Sequence, residues 1–163
     1  MAEFLLNKQA LKESGDLKKV STSAEYGLGQ EIETIDENKN VRKYIYVKNG
    51  AGATISAKDT VMVNPGFVAV APATSAFAKI TGVANVDVAS GSYFFLQTKG
   101  QTIAKSAGNT TADHYTKLIT AVKTVTDSAS VVASTNAIIN ESRTGAGDVS
   151  ITLLGTTSEV AAS

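Results

Sequence analysis

Residues 82–100 read GVANVDVASGSYFFLQTKG. Ala84, Val86 and Val88 share one face of an extended chain, with Asn85 and Asp87 on the other, the alternation of a half-buried strand. Ala89-Ser90-Gly91 interrupts it with turn residues. Tyr93-Phe94-Phe95-Leu96 follows, apolar at every position. An extended run that is apolar on both sides needs cover on both sides, so it lies between packed layers or against another subunit. The stretch predicts a hairpin that Gly100 ends, with Gln101–Lys105 resuming alternation beyond it.

The same pattern repeats outward in both directions. Gln30–Ile35 alternates, and Asp36-Glu37-Asn38-Lys39-Asn40 supplies turn residues. Val41–Lys48 (VRKYIYVK) is β-branched and aromatic, the composition of a strand. Asn49-Gly50 is the dipeptide of the type I′ hairpin turn, whose two central residues take positive φ. Thr60–Val63 and Phe67–Ala71 are strands around Asn64-Pro65-Gly66, where proline fixes one corner and glycine takes positive φ at the next. Thr116–Ala133 carries two signals. Tyr115, Leu118, Ile119 and Val122 fit a helical stripe, but the threonine and valine content favours strands, and strands are expected there. Val149–Leu153 alternates as a last strand. Short strands punctuated by turns, with little helix, predict an all-β fold: a single β-sandwich or barrel-like domain.

The 163 residues suffice for one domain that buries a substantial core without staples. More than half of the charged residues lie within the first 48 positions. We therefore divide the chain into an N-terminal arm over 1–25, extended or partly helical, a body over 26–155, and a loose tail over 156–163. Phe4, Leu5 and Leu6 are the apolar residues of the arm. The opening MAEFLLNKQALKESGDLKK has too short an apolar patch for a signal peptide, and no stretch approaches a membrane span.

Composition narrows the function. Cysteine is absent, which removes disulfides, thiolate metal sites and cysteine nucleophiles. Lys plus Arg and Asp plus Glu number 15 each. That balance argues against nucleic acid or an anionic membrane as partner, since both reward a cationic excess. His114, beside Asp113, is the one histidine, and no second histidine or cysteine completes a metal site with it. It reads as a loop residue. No G-x-S-x-G elbow occurs. Glu31 and Glu33 point the same way on a strand, as a glycosidase or calcium site would use them. Beside Lys39, Arg42 and Lys43 they read instead as a solvated, charge-paired face. Gly50-Ala51-Gly52 and Gly145-Ala146-Gly147 lack the spacing and following lysine of a phosphate loop, and are turns. Tyr44, Tyr46, Phe67, Tyr93, Phe94 and Phe95 sit in strands as core residues. The chain is expected to be no enzyme, to need no metal or cofactor, and to work through a surface.

Several stretches taken together resemble a known family: Tyr26–Gly29, Arg42–Lys48, Asp59–Val61, Lys79–Ala84, Val88–Gly100 and Gly147–Gly155. They are similar to the capsid decoration, or cement, proteins of tailed double-stranded DNA bacteriophages, most strongly over 42–105 and 147–155. The resemblance implies a non-enzymatic virion protein on the capsid exterior, assembled in the host bacterial cytoplasm. Its partner would be the major capsid protein, whose subunit contacts it cements, and it would itself be a homo-oligomer, a trimer. A bridging role of this kind stabilises only the assembled shell, and identical sites add through symmetry. Phe4, Leu5, Leu6, Tyr93 and Phe95 are the candidate partner-binding residues, the arm pairing with a capsid strand edge. The alternative is a receptor- or carbohydrate-binding adhesive module of a phage fibre or knob.

Overall fold

The computed structural model describes residues 3–5, 14–73, 80–119, 121–130 and 135–155. The tail expected over 156–163, and Leu6, lie outside them. The described residues are all-β, with one 3-10 turn at Ser14–Lys18. The strands are β1 (Glu3–Leu5), β2 (Glu31–Asp36), β3 (Val41–Asn49), β4 (Thr60–Val63), β5 (Val68–Val70) and β6 (Ile80–Ala84), followed by β7 (Tyr93–Ser106), β8 (Tyr115–Ile119), β9 (Val122–Ser128), β10 (Ala137–Ile139) and β11 (Gly147–Leu154).

All eleven belong to one sheet, ordered β1-β2-β3-β5-β4-β6-β7-β11-β10-β8-β9, and two further pairings, β3–β7 and β7–β9, close it. The body is therefore barrel-like and not a sandwich of two separate sheets. The first closure makes a ring of β3, β5, β4, β6 and β7; the second makes a ring of β7, β11, β10, β8 and β9. Closing a sheet removes strand edges that would otherwise have to be protected. Strand β7 belongs to both rings, pairing with β3 from Tyr93 to Lys99 and with β11 from Lys99 to Ser106.

Side-chain alternation along the strands then builds three cores. Ile45, Val47, Val61, Val63, Phe94 and Leu96 fill the first ring. Ala104, Val125, Ile139, Val149, Ile151 and Leu153 fill the second, joined by Val83 from the outer side of β6. On the outer face of β3 and β7, Leu17, Ile32, Tyr44, Tyr46 and Phe95 form the third. The two-sided apolar run at Tyr93–Leu96 thus lies between two cores of its own chain.

Gly100 does not end its strand. It takes φ +91° within β7, and a Cβ there would lie 2.5 Å from the Val41 carbonyl. Glycine lets β7 turn from one ring into the next while β3 crosses closely. Thr116–Ala133 is strand at Tyr115–Ile119 and Val122–Ser128, where β-branched residues fit the pleat better than a helix surface.

Three turns depart from expectation. The hairpin between β6 and β7 pairs in the expected antiparallel sense, with Ala84 opposite Leu96, but β6 stops at Ala84. Val88 leaves it to exchange backbone hydrogen bonds with Ile55, and the Asp87 carboxylate accepts from Ala57 N–H, so 85–88 is drawn to the 51–59 loop. Asn49-Gly50 is not a type I′ turn. Asn49 is 1% exposed, and its amide donates to the carbonyls of Ala53 and Val88 while its oxygen accepts from Ala51 N–H. The side chain replaces backbone partners and fastens two loops. At Asn64-Pro65-Gly66 the turn closes as expected through Phe67 N–H to Asn64 C=O at 2.9 Å, but Phe67, not Gly66, is left-handed, at φ +56°. A bulky residue there costs about 1–2 kcal/mol. The Phe67 ring covers Gly29, where a Cβ would lie 2.5 Å from it, and packs against the first core.

Because both cores hang on β7, truncating either should shift one common transition. Phe94→Ala in the first and Ile151→Ala in the second should each lose about 2–5 kcal/mol. Each variant should still melt in one far-UV circular dichroism transition. Separate transitions would mean that the rings fold independently.

Candidate interaction surfaces

The described residues contain no group of three or more His, Cys, Asp or Glu placed to hold a metal ion. No described helix is long and apolar enough to cross a membrane. Four regions gather the charged and aromatic contacts of the described residues.

The first is the third core and its cover. Tyr46 meets Phe95 at 4.9 Å between ring centroids and Tyr93 at 6.2 Å in a stacked arrangement. Tyr26, from the segment before β2, lies 5.2 Å from Tyr46 at 78° and 5.3 Å from Phe95. Offset and edge-on pairs of this kind stabilise beyond simple burial. Leu17 is buried among them, so residues 14–26 lie on the body. Of the candidate partner-binding residues, Phe95 is enclosed by its own chain, at 1% exposure. Tyr93 is half-buried, with the Lys48 ammonium 5.6 Å from its ring centroid. Phe4 and Leu5 stand in β1, opposite Ile35 and Thr34 of β2. The structure therefore brings Tyr93 and Phe95 together and sets Phe4 and Leu5 on a different strand, at the end of the sheet. Leu17 and Tyr26, apolar or aromatic in an otherwise polar stretch, were the signal for this cover; Leu17 was not singled out, and Tyr26 entered only as part of the Tyr26–Gly29 resemblance.

The second is the face of β2 and β3. Glu33 pairs with Lys43 at 2.8 Å, and both are substantially exposed, the solvated pair the sequence suggested. The hydrogen bond from Lys43 to Glu33 is the main reason the Lys43 ammonium is held above its usual range. Arg42 turns elsewhere, to Asp36 at 3.2 Å. The Asp36 side chain is fully buried and organises the β2–β3 turn. One oxygen accepts from the N–H groups of Asn38 and Asn40, the other from the Asn40 amide and Arg42. Burial works against its charge, but the Asn40 and Asn38 hydrogen bonds and the Arg42 guanidinium together outweigh it, and the carboxyl lies below its usual range.

The third is the seam between the rings. Asp59, mostly buried, accepts from Lys105 at 2.7 Å and from Ser56 N–H at 2.9 Å, with Lys123 3.9 Å away. Lys123 also donates to Thr54 C=O, and Lys58 pairs with Asp148. These contacts pin the loop between β3 and β4 onto β7, β9 and β11. His114 lies apart from them. Its Nδ1 is 2.8 Å from Asp127 on the neighbouring strand β9, not engaged with adjacent Asp113. Strand register alone creates that pair, because Thr116 is opposite Asp127.

The fourth is an open groove of about 340 Å³ where β2, β3, β6, β7 and the end of β11 meet. Ile45, Ile80 and Leu154 give it apolar surface, and Glu31, Lys43 and Lys99 rim it.

No family model matches the chain. No curated protein matches it either. Among solved structures, it is similar to the head fiber gp8.5 N base of bacteriophage phi29, at a TM-score of 0.50 and 12% sequence identity. The match covers 71% of this chain and 98% of that one. The likeness is one of fold.

Asp36 gives a pH prediction with a defined sign. Its folded carboxyl is more acidic than in the unfolded chain, so its contribution is complete above the unfolded value of about 3.9 and is lost as pH falls through the folded value. Asp36→Asn should melt below the native chain at pH 7, and the difference should narrow towards pH 2. A constant difference across that range would contradict the assignment.

Proposed function

We propose that this chain is a structural protein of a phage head, carried on the outside of the capsid, where it bridges and cements neighbouring major capsid protein subunits. The observation that carries the proposal is the likeness of its β fold to a phage head fiber base, spanning almost the whole of that chain. The sequence resemblance to capsid decoration proteins points the same way. A chain with no net charge and two enclosed cores suits such a role, because it offers a packed surface with no charge excess that would draw it to DNA.

The chain acts as a homotrimer on this reading, so each assembly presents three copies of a weak contact to a symmetric shell, and the copies reinforce one another. It binds only assembled shell and so shifts the balance away from dissociated subunits. Phe4, Leu5 and Leu6 on the arm and Tyr93 beside Lys48 are the contacts through which it reaches the capsid protein.

The test uses empty phage shells that lack this protein. The purified chain should sediment as a species of three times 16.9 kDa, bind those shells saturably, and raise the temperature at which they come apart. Replacing Phe4, Leu5 and Leu6 together by alanine should weaken shell binding by tenfold or more with the protein's own melting little changed, because β1 is only three residues long. A chain that stays in the supernatant, or that binds glycans on an array and no shell, would overturn the proposal.

A further inference from the structure

We infer that residues 16–26 form a cover that opens and closes as a unit over the aromatic face of β3 and β7 while both rings stay folded. The segment is tied to itself. The Tyr26 hydroxyl donates to the Asp16 carboxylate at 2.5 Å, Lys19 pairs with Glu25 at 2.8 Å, and Lys19 N–H donates to Asp16 C=O at 3.1 Å. The ion pair holds the Lys19 ammonium above and the Glu25 carboxyl below their usual ranges, chiefly through the hydrogen bond between them. None of these ties has to break when the segment lifts.

Its grip on the body is of a different kind. Leu17 and Tyr26 insert into the third core, Glu25 N–H donates to the Tyr46 hydroxyl at 3.1 Å, and Ser21 exchanges two backbone hydrogen bonds with Tyr93. The third core lies outside both rings, so lifting the cover removes nothing from the ring cores. Gly15 and Gly27 flank the segment, and nothing lies within 4 Å of where a Cβ would stand on either. Glycine's wide range of backbone angles lets both borders pivot with no side chain to clear. Beyond the second, Gly29 and Gln30 stay hydrogen-bonded to Tyr46 on β3, which fixes where the hinge stops. Opening of such a unit costs less than global unfolding.

Tyr93 makes the inference measurable. Although it begins β7, its N–H donates to Ser21 at 2.8 Å, so the cover protects that amide from solvent. In residue-resolved hydrogen exchange on the full chain, the amides of Ser21 and Tyr93 should exchange at one common rate. That rate should be at least tenfold faster than the slowest amides of β4 and β11. Leu17→Ala should accelerate both by a further tenfold or more and leave the slowest amides unchanged. Exchange of Tyr93 in step with the slowest amides, or equal acceleration of all amides by Leu17→Ala, would overturn the inference. Low urea offers a second measurement that needs no variant. Exchange at Ser21 and Tyr93 should depend weakly on denaturant and that of β11 steeply, and equal slopes would overturn it too.

Discussion

Everything in this protein depends on β7 being able to serve two cores and to face a third. Over 14 residues it gives Phe94 and Leu96 to one ring, Ala104 to the other, and Phe95 to the aromatic layer outside. Strand alternation allows this only if the chain changes partners midway without breaking. Gly100 supplies the change, since a left-handed residue without a side chain lets the strand bend past Val41. The rings are therefore not two domains joined by a linker. They are one sheet closed twice around a common wall, to which Val83 of β6 also contributes.

That arrangement accounts for how the chain protects its sheet. Both rings close, so pairing takes up strand edges that an open sheet would leave exposed, and β1 is left at the end of the strand order. The seam around Asp59 then keeps the two rings from moving against each other. Its lysines are partly exposed, so their pairing adds little energy but fixes geometry. The aromatic layer does the opposite, holding a detachable segment by the insertion of Leu17 and Tyr26 and by a few hydrogen bonds to Tyr46 and Tyr93.

The fold class was legible because alternation is a local property. Val41–Lys48 and Val149–Leu153 declared themselves, and the doubly apolar Tyr93–Leu96 announced that two layers would meet on it. Closure was not legible, because a single bridge such as Ser106 to Val125 leaves no trace in either segment. Turns fared unevenly for a physical reason. The Asp36–Asn40 turn formed as expected, its aspartate accepting from N–H groups just beyond it, whereas Asn49 also spends its side chain on distant Val88, and Phe67 accepts strain in exchange for packing on Gly29. The surfaces were legible where they depended on neighbours, as in Glu33 with Lys43. They were hidden where they depended on register, as in His114 with Asp127, or on a polar-looking segment folding back, as with Leu17 and Tyr26.

Asn49-Gly50 has one more consequence. In flexible chains this dipeptide ages chemically: the glycine nitrogen attacks the asparagine carboxamide and ammonia departs. Here that nitrogen donates to Ala69 C=O at 3.0 Å, and the carboxamide is clamped by the carbonyls of Ala53 and Val88. The two reacting groups are held by different partners, and a side chain on Gly50 would collide with Val68, so the spot admits no bulkier and less labile replacement. The protein keeps a residue pair prone to decay and suppresses the decay by immobilising it, which gives the folded chain a shelf life that its sequence alone would not promise.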